Sequence, residues 1–127
     1  MRIILLAAAV EAAAVGLLAA VVAISGPSDP KGAQAFAERF GQFIGPIASA
    51  LLCFCAAWWL ARQTRRGRQR PVLCGLLLGA VCSAIDLVLL AALGGNFGWI
   101  IAVSNTGRLL AGALGGLIAR WTEWDEV

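Results

Sequence analysis

Four long apolar runs, Ile3 to Ile24, Ile44 to Ala61, Val72 to Leu93 and Gly98 to Ala119, decide most of what this chain can become. A hydrocarbon layer ~30 Å thick is crossed by ~20 apolar residues in an α-helix, where every backbone polar group finds its partner inside the segment. The expected architecture is an all-α membrane protein, with residues 1 to 127 forming one domain folded as a four-transmembrane-helix bundle. The punctuation suits helix ends. Ser25-Gly26-Pro27 stops the first run, Pro71 opens the third where a helix accepts proline, and Gly94-Gly95-Asn96 parts the third from the fourth. Hydrophobic residues make up 61% of the chain, well above the ~45 to 50% of ordinary soluble domains.

The basic residues are divided unevenly between the two ends of such a bundle. Arg2, Arg62, Arg65, Arg66, Arg68, Arg70 and Arg120 gather on one side, and Lys31 and Arg39 on the other. Short loops rich in Lys and Arg stay in the cytoplasm, so the Arg62 to Arg70 loop and both termini are expected there, in a plasma (inner) membrane. The arginine run reads first as this orientation signal and second as a contact for anionic lipid headgroups. Nucleic acid is not an expected partner, because no aromatic or hydrogen-bonding readers accompany the charge. Trp58, Trp59, Trp99, Trp121 and Trp124 fall at the expected interfaces, as an aromatic belt requires. Met1-Arg2 before an apolar run has the outline of a secretory signal, but such signals carry an apolar stretch of only ~7 to 15 residues. Here the run is longer and holds Glu11, so a retained helix is expected.

The segment between the first two runs is longer than a turn. Ser28-Asp29-Pro30 reads as a helix start, and Phe36, Phe40 and Phe43 recur at helical spacing. Two forms are open: a short interfacial helix after helix one, or an outward extension of helix two with Gly45-Pro46 as a kink.

Histidine is absent, which removes the commonest metal ligand and general base. No cofactor, metal or enzymatic activity is expected. Cys53, Cys55, Cys74 and Cys82 all lie in the apolar runs or at their edge, where cysteine behaves as a small hydrophobe. Chemistry would fall instead to the ionisable residues within the runs, which cost ~2.5 to 3.5 kcal/mol each near the bilayer centre and so mark candidate sites. These are Glu11, Asp86 and Arg108. Asp86 and Arg108 sit at similar depth on consecutive helices and lean toward each other, which predicts an ion pair completed by Ser104 or Asn105 one turn away. Glu11 leans the other way and is expected to lack Arg108 as a partner. It should then be neutral unless it faces water or binds a cation, which makes it a candidate proton or cation site.

Small residues recur every four positions: Ala8, Ala12, Gly16 and Ala20 on helix one, Gly75, Gly79 and Ser83 on helix three, Gly112 and Gly116 on helix four. Such stripes let helix backbones approach closely, within a bundle or between subunits.

Two local likenesses bear on function. Leu52 to Thr64, with Cys53, Cys55, Trp58, Trp59 and Arg62, resembles the second helix of small multidrug resistance exporters. That likeness implies a four-helix exporter in which Glu11 is shared between protons and cationic substrates. The connection between helices one and two is longer than in that family, tyrosine is absent, and Asp86 and Arg108 have no counterpart in its pattern. Gly112 to Trp121 is similar to a glycine-rich, arginine-ending motif of fluoride channels, but here it ends the last helix and the Thr- and Phe-rich pore segment is missing. Neither likeness assigns a family. The two readings left open are a structural or accessory membrane protein, as a homo-oligomer or beside a partner membrane protein, and a small oligomeric transporter or channel coupled to protons or cations through Glu11.

Overall fold

The computed structural model describes residues 1–63, 70–92, 94 and 98–122. Arg65, Arg66, Arg68, Gly95, Asn96 and Trp124 lie outside the described residues. Four helices account for nearly all of the rest: α1 (Arg2–Ser25), α2 (Pro30–Gln63), α3 (Pro71–Ala92) and α4 (Trp99–Trp121). All four are long and apolar enough to cross a membrane.

The largest departure from the expected spans is α2, one continuous helix of 34 residues that at ~1.5 Å per residue runs about 50 Å. Among the described residues no separate interfacial helix follows α1; of the two forms left open, the structure has the extension. The physical reason is local. Asp29 Oδ2 accepts a hydrogen bond from the Gly32 N–H at 2.7 Å, a side-chain cap of the first turn, and Pro30 occupies the position where its missing N–H costs nothing. Nothing breaks the helix before Pro46, which sits inside it and removes one backbone donor. The N-terminal part of α2 also leans on α1, where Gly41 faces Leu18. Phe36 and Phe40 stack with ring centroids 5.4 Å apart, whereas Phe43 is exposed.

Close packing is concentrated between α3 and α4. A Cβ added at Gly75 would meet the carbonyl of Gly112, and one added at Gly112 would meet that of Gly75. Gly79 faces the Arg108 carbonyl and Gly116 that of Pro71, so two glycine stripes interlock backbone to backbone. Gly115 does the same toward Phe54 of α2. Small-residue stripes are what bring membrane helices this close. The α1 stripe behaves differently: Ala8, Ala12, Gly16 and Ala20 are all exposed, and Gly16 has nothing within 4 Å of where a Cβ would be.

α1 packs on α2 and α3, and at most grazes α4. Its contribution to the core is Ala7 and Val10, set against Cys53 and Ala57 of α2 and Leu78 and Cys82 of α3. None of the four cysteines is in a disulfide; three are buried and Cys55 is exposed. The outward faces are apolar on every helix, including Leu5, Val15, Ile47, Leu51, Val88 and Leu110. A water-soluble monomer rarely shows so much contiguous apolar surface. Arg62 lies over the ring of Trp58 at 4.5 Å, a cation–π contact at the end of α2 that also carries the exposed Trp59.

Candidate functional site

The buried polar residues share one level of the bundle because each occupies the inward stripe of its helix. On α4 the buried positions Ser104, Arg108, Gly112, Gly116 and Ala119 recur at spacings of four and three. Ser49, Cys53 and Ala57 do the same on α2, Cys82 and Ser83 continue the inward face of α3, and Glu11 follows Ala7 and Val10 on α1. Side chains at this spacing lie on one face, so burying that face carries the polar members inward together.

Arg108 is the centre of the cluster. Its side chain is 7% exposed, and it reaches all three other helices. Nη1 lies 3.1 Å from Glu11 Oε1 and 3.3 Å from Asp86 Oδ2, and it donates to the Cys82 carbonyl at 3.4 Å. Nη2 donates to Glu11 Oε2 at 3.4 Å. Nε donates to Ser49 Oγ at 3.1 Å, and that hydroxyl donates in turn to the Pro46 carbonyl at 3.2 Å. The backbone of Arg108 is engaged as well, its carbonyl accepting from Cys53 Sγ at 3.5 Å. A planar guanidinium can bind several acceptors in fixed directions, and here those acceptors come from α1, α2 and α3.

This geometry brings Asp86 to Arg108, as the depths and lean of the two side chains predicted. It corrects the expectation for Glu11, which has Arg108 as a partner. Depth counted from Cα rise alone leaves out the reach of the arginine side chain, and α1 is seated where Val10 and Ala7 fill the space against Cys53, Leu78 and Cys82. Ser104 and Asn105 are also placed differently. The groups that complete the hydrogen bonds of Arg108 are Ser49 and the Cys82 carbonyl, whereas the Asn105 backbone carbonyl accepts from Ser83 at 3.4 Å and its side-chain oxygen is buried without a partner. Ser49 was not among the expected residues. A lone serine in an apolar helix reads as a small filler, and the only signal was its position one turn after Pro46.

Beside the cluster is a cavity of about 270 Å³, with Glu11, Asp86, Ser104, Ser49 and Arg108 on its polar side. Its walls come from the C-terminal half of α1, the N-terminal part of α2 and the facing ends of α3 and α4, including Leu18, Val21, Phe40, Ile44, Leu90 and Ile101. All of these lie in the half of the bundle away from Arg62 and Arg120, where α1 and α4 stand apart. The two acids differ in their surroundings. The Glu11 side chain is 8% exposed, and its Oε1 is held by charge alone, with no aligned hydrogen bond. The Asp86 side chain is 33% exposed.

Among the described residues no group of three His, Cys, Asp or Glu side chains is placed to hold a metal ion. No known family, curated protein or solved structure matches the chain, so its function is read from this geometry.

Proposed function

We propose that this chain is a small multi-pass protein of the plasma (inner) membrane, with both termini cytoplasmic, that serves as a structural or accessory subunit of a larger membrane assembly. The observation that carries this reading is the use made of Arg108. Its donors are spent on groups from all three neighbouring helices, which is the arrangement of a clasp that fixes helix positions. Buried polar groups often serve to specify one arrangement rather than to add stability. The exposed stripe Ala8, Ala12, Gly16 and Ala20 on α1 supports an assembly partner, since this spacing suits close approach of another helix, from a second copy or from a partner membrane protein. The apolar outer faces support lipid as the surrounding solvent, and the placement of arginines supports the orientation.

A second reading, a small oligomeric transporter or channel coupled to protons or cations, is favoured by the cavity and by the two acids that border it. Intramembrane acids beside a cavity are the usual equipment of such proteins. The two readings separate in one experiment. The full chain, with its native cysteines replaced and Gly16→Cys introduced, is oxidised in native membranes, and the purified wild type is reconstituted in liposomes under an imposed proton gradient. A discrete cross-linked product together with liposomes that pass no ions supports the accessory subunit. Gradient-driven cation flux that is lost in Glu11→Gln supports the transporter instead.

A further inference from the structure

We propose that the cavity between α1 and α4 is a binding site for a small monovalent organic cation, a protonated amine on a compact apolar body, with Asp86 as its counter-ion. The proposal rests on the second reading above for its biological use, but the site itself is argued from the geometry.

The walls favour an apolar body. Leu18, Val21, Phe40, Ile44, Leu90 and Ile101 surround the space, which at about 270 Å³ exceeds the ~30 Å³ share of one water many times over and falls just under the ~300 to 1,000 Å³ of sites for drug-sized ligands. The ligand is therefore small.

The floor favours a cation. Two carboxylates share one guanidinium, so with both acids ionised the cluster carries one unit of negative charge. An anion would have to compete for Arg108, whose donors already meet Glu11, Asp86, Ser49 and the Cys82 carbonyl. A neutral ligand would leave the excess charge unmatched in a region of low dielectric, where an unpaired charge is costly.

Between the two acids, exposure selects Asp86. Glu11 is buried and clamped by both Nη atoms. Asp86 keeps a third of its side chain accessible and meets Arg108 only through Oδ2, which leaves Oδ1 for an incoming ammonium. Glu11 borders the same cavity, and its buried Oε1 lies 3.1 Å from Nη1 without an aligned hydrogen bond. A cation seated against Asp86 relieves the competition of two acids for Nη1 and lets that nitrogen align its N–H on Oε1, which it already meets at 3.1 Å. This assigns the candidate cation site to Asp86, with Glu11 acting through Arg108 as a positioning residue.

The test uses the purified full chain in nanodiscs of zwitterionic lipid and three probes with one body: benzylammonium, benzyl alcohol and benzoate. Saturable binding is read by ligand-observed NMR. Benzylammonium is expected to bind at least tenfold more tightly than benzyl alcohol, with benzoate weakest, and Asp86→Asn is expected to erase the preference for the cation while the alcohol binds as before. Ala14→Phe, which fills the cavity from α1, is expected to abolish binding of both. Equal binding of alcohol and cation marks an apolar pocket suited to a lipid tail and overturns the proposal; so does a preference for benzoate, or saturable cation binding that survives Ala14→Phe, or no saturable binding of any probe to a wild type with an intact thermal transition. Binding without cation flux in liposomes defeats only the transport reading and leaves the site standing.

Discussion

Arg108 and Glu11, 97 positions apart in the chain, meet through Nη1 and Oε1 at 3.1 Å. Because the same nitrogen lies 3.3 Å from Asp86, removing the arginine strands two acids at once. Breaking a buried ion pair from one side typically costs ~3 to 5 kcal/mol, so Arg108→Met is expected to lower the thermal transition of the detergent-solubilised protein sharply. The loss comes from stranded charge rather than missing bulk. The triple variant Arg108→Met, Glu11→Gln, Asp86→Asn should therefore recover a large part of it, although Ser49 and the Cys82 carbonyl still lose their donor. An unchanged transition in Arg108→Met would show that the clasp does not hold the helices.

The glycines of α3 and α4 should respond by position rather than by residue type. At Gly75 and Gly112 an added Cβ would land on the carbonyl of the other, and backbone cannot step aside without separating the helices. Gly112→Val is expected to cost about 3 kcal/mol or more, the upper end of what overpacking costs, and to appear as a lowered transition with loss of a monodisperse elution profile. Gly16→Ala is the opposite case. Its surroundings are open, and alanine exceeds glycine by ~1 kcal/mol in helix propensity, so the monomer should be as stable as the wild type or slightly more so. Thermal scans of the two variants side by side check both.

The parts of this structure that were legible in the sequence are those set by local periodicity. The apolar runs marked every helix, and the four-residue spacing of small residues marked faces suited to close approach, because each is a property of one helix face; which faces meet, those of α3 and α4 but not the exposed stripe of α1, was left open. The Asp86–Arg108 pair could be read as well, since consecutive helices joined by a short connection have a known relative depth. Glu11 could not be placed, because its partner depends on how far α1 slides against α2 and α3, which no periodicity records. Helix α2 was left between two forms for a different reason. Hydropathy finds the apolar window, and Gln34, Glu38 and Arg39 ended that window long before they ended the helix. The role of Ser49 depended on a contact with a helix 59 residues away in sequence.

Two buried serines close to Arg108 provide the finest comparison. Ser49 Oγ accepts from Nε at 3.1 Å and passes a bond to the Pro46 carbonyl, so it links the clasp to the turn of α2 that proline weakens. Ser104 borders the cavity, and the bonds to the guanidinium are made by other groups. Truncating Ser49 leaves a charged donor without its acceptor. Hydrogen bonds between membrane helices average ~0.6 kcal/mol and reach ~1.7, while bonds to charged groups run to ~1.5 to 3 kcal/mol, so Ser49→Ala is expected to cost about 1 to 2 kcal/mol. Ser104→Ala removes no bond to Arg108 and should stay within about 0.5 kcal/mol of the wild type, the usual range for changes outside such features. Reversible unfolding in mixed micelles measures the difference. If Ser104→Ala proves the costlier change, Arg108 turns toward the cavity in the membrane and Ser49 is not its anchor.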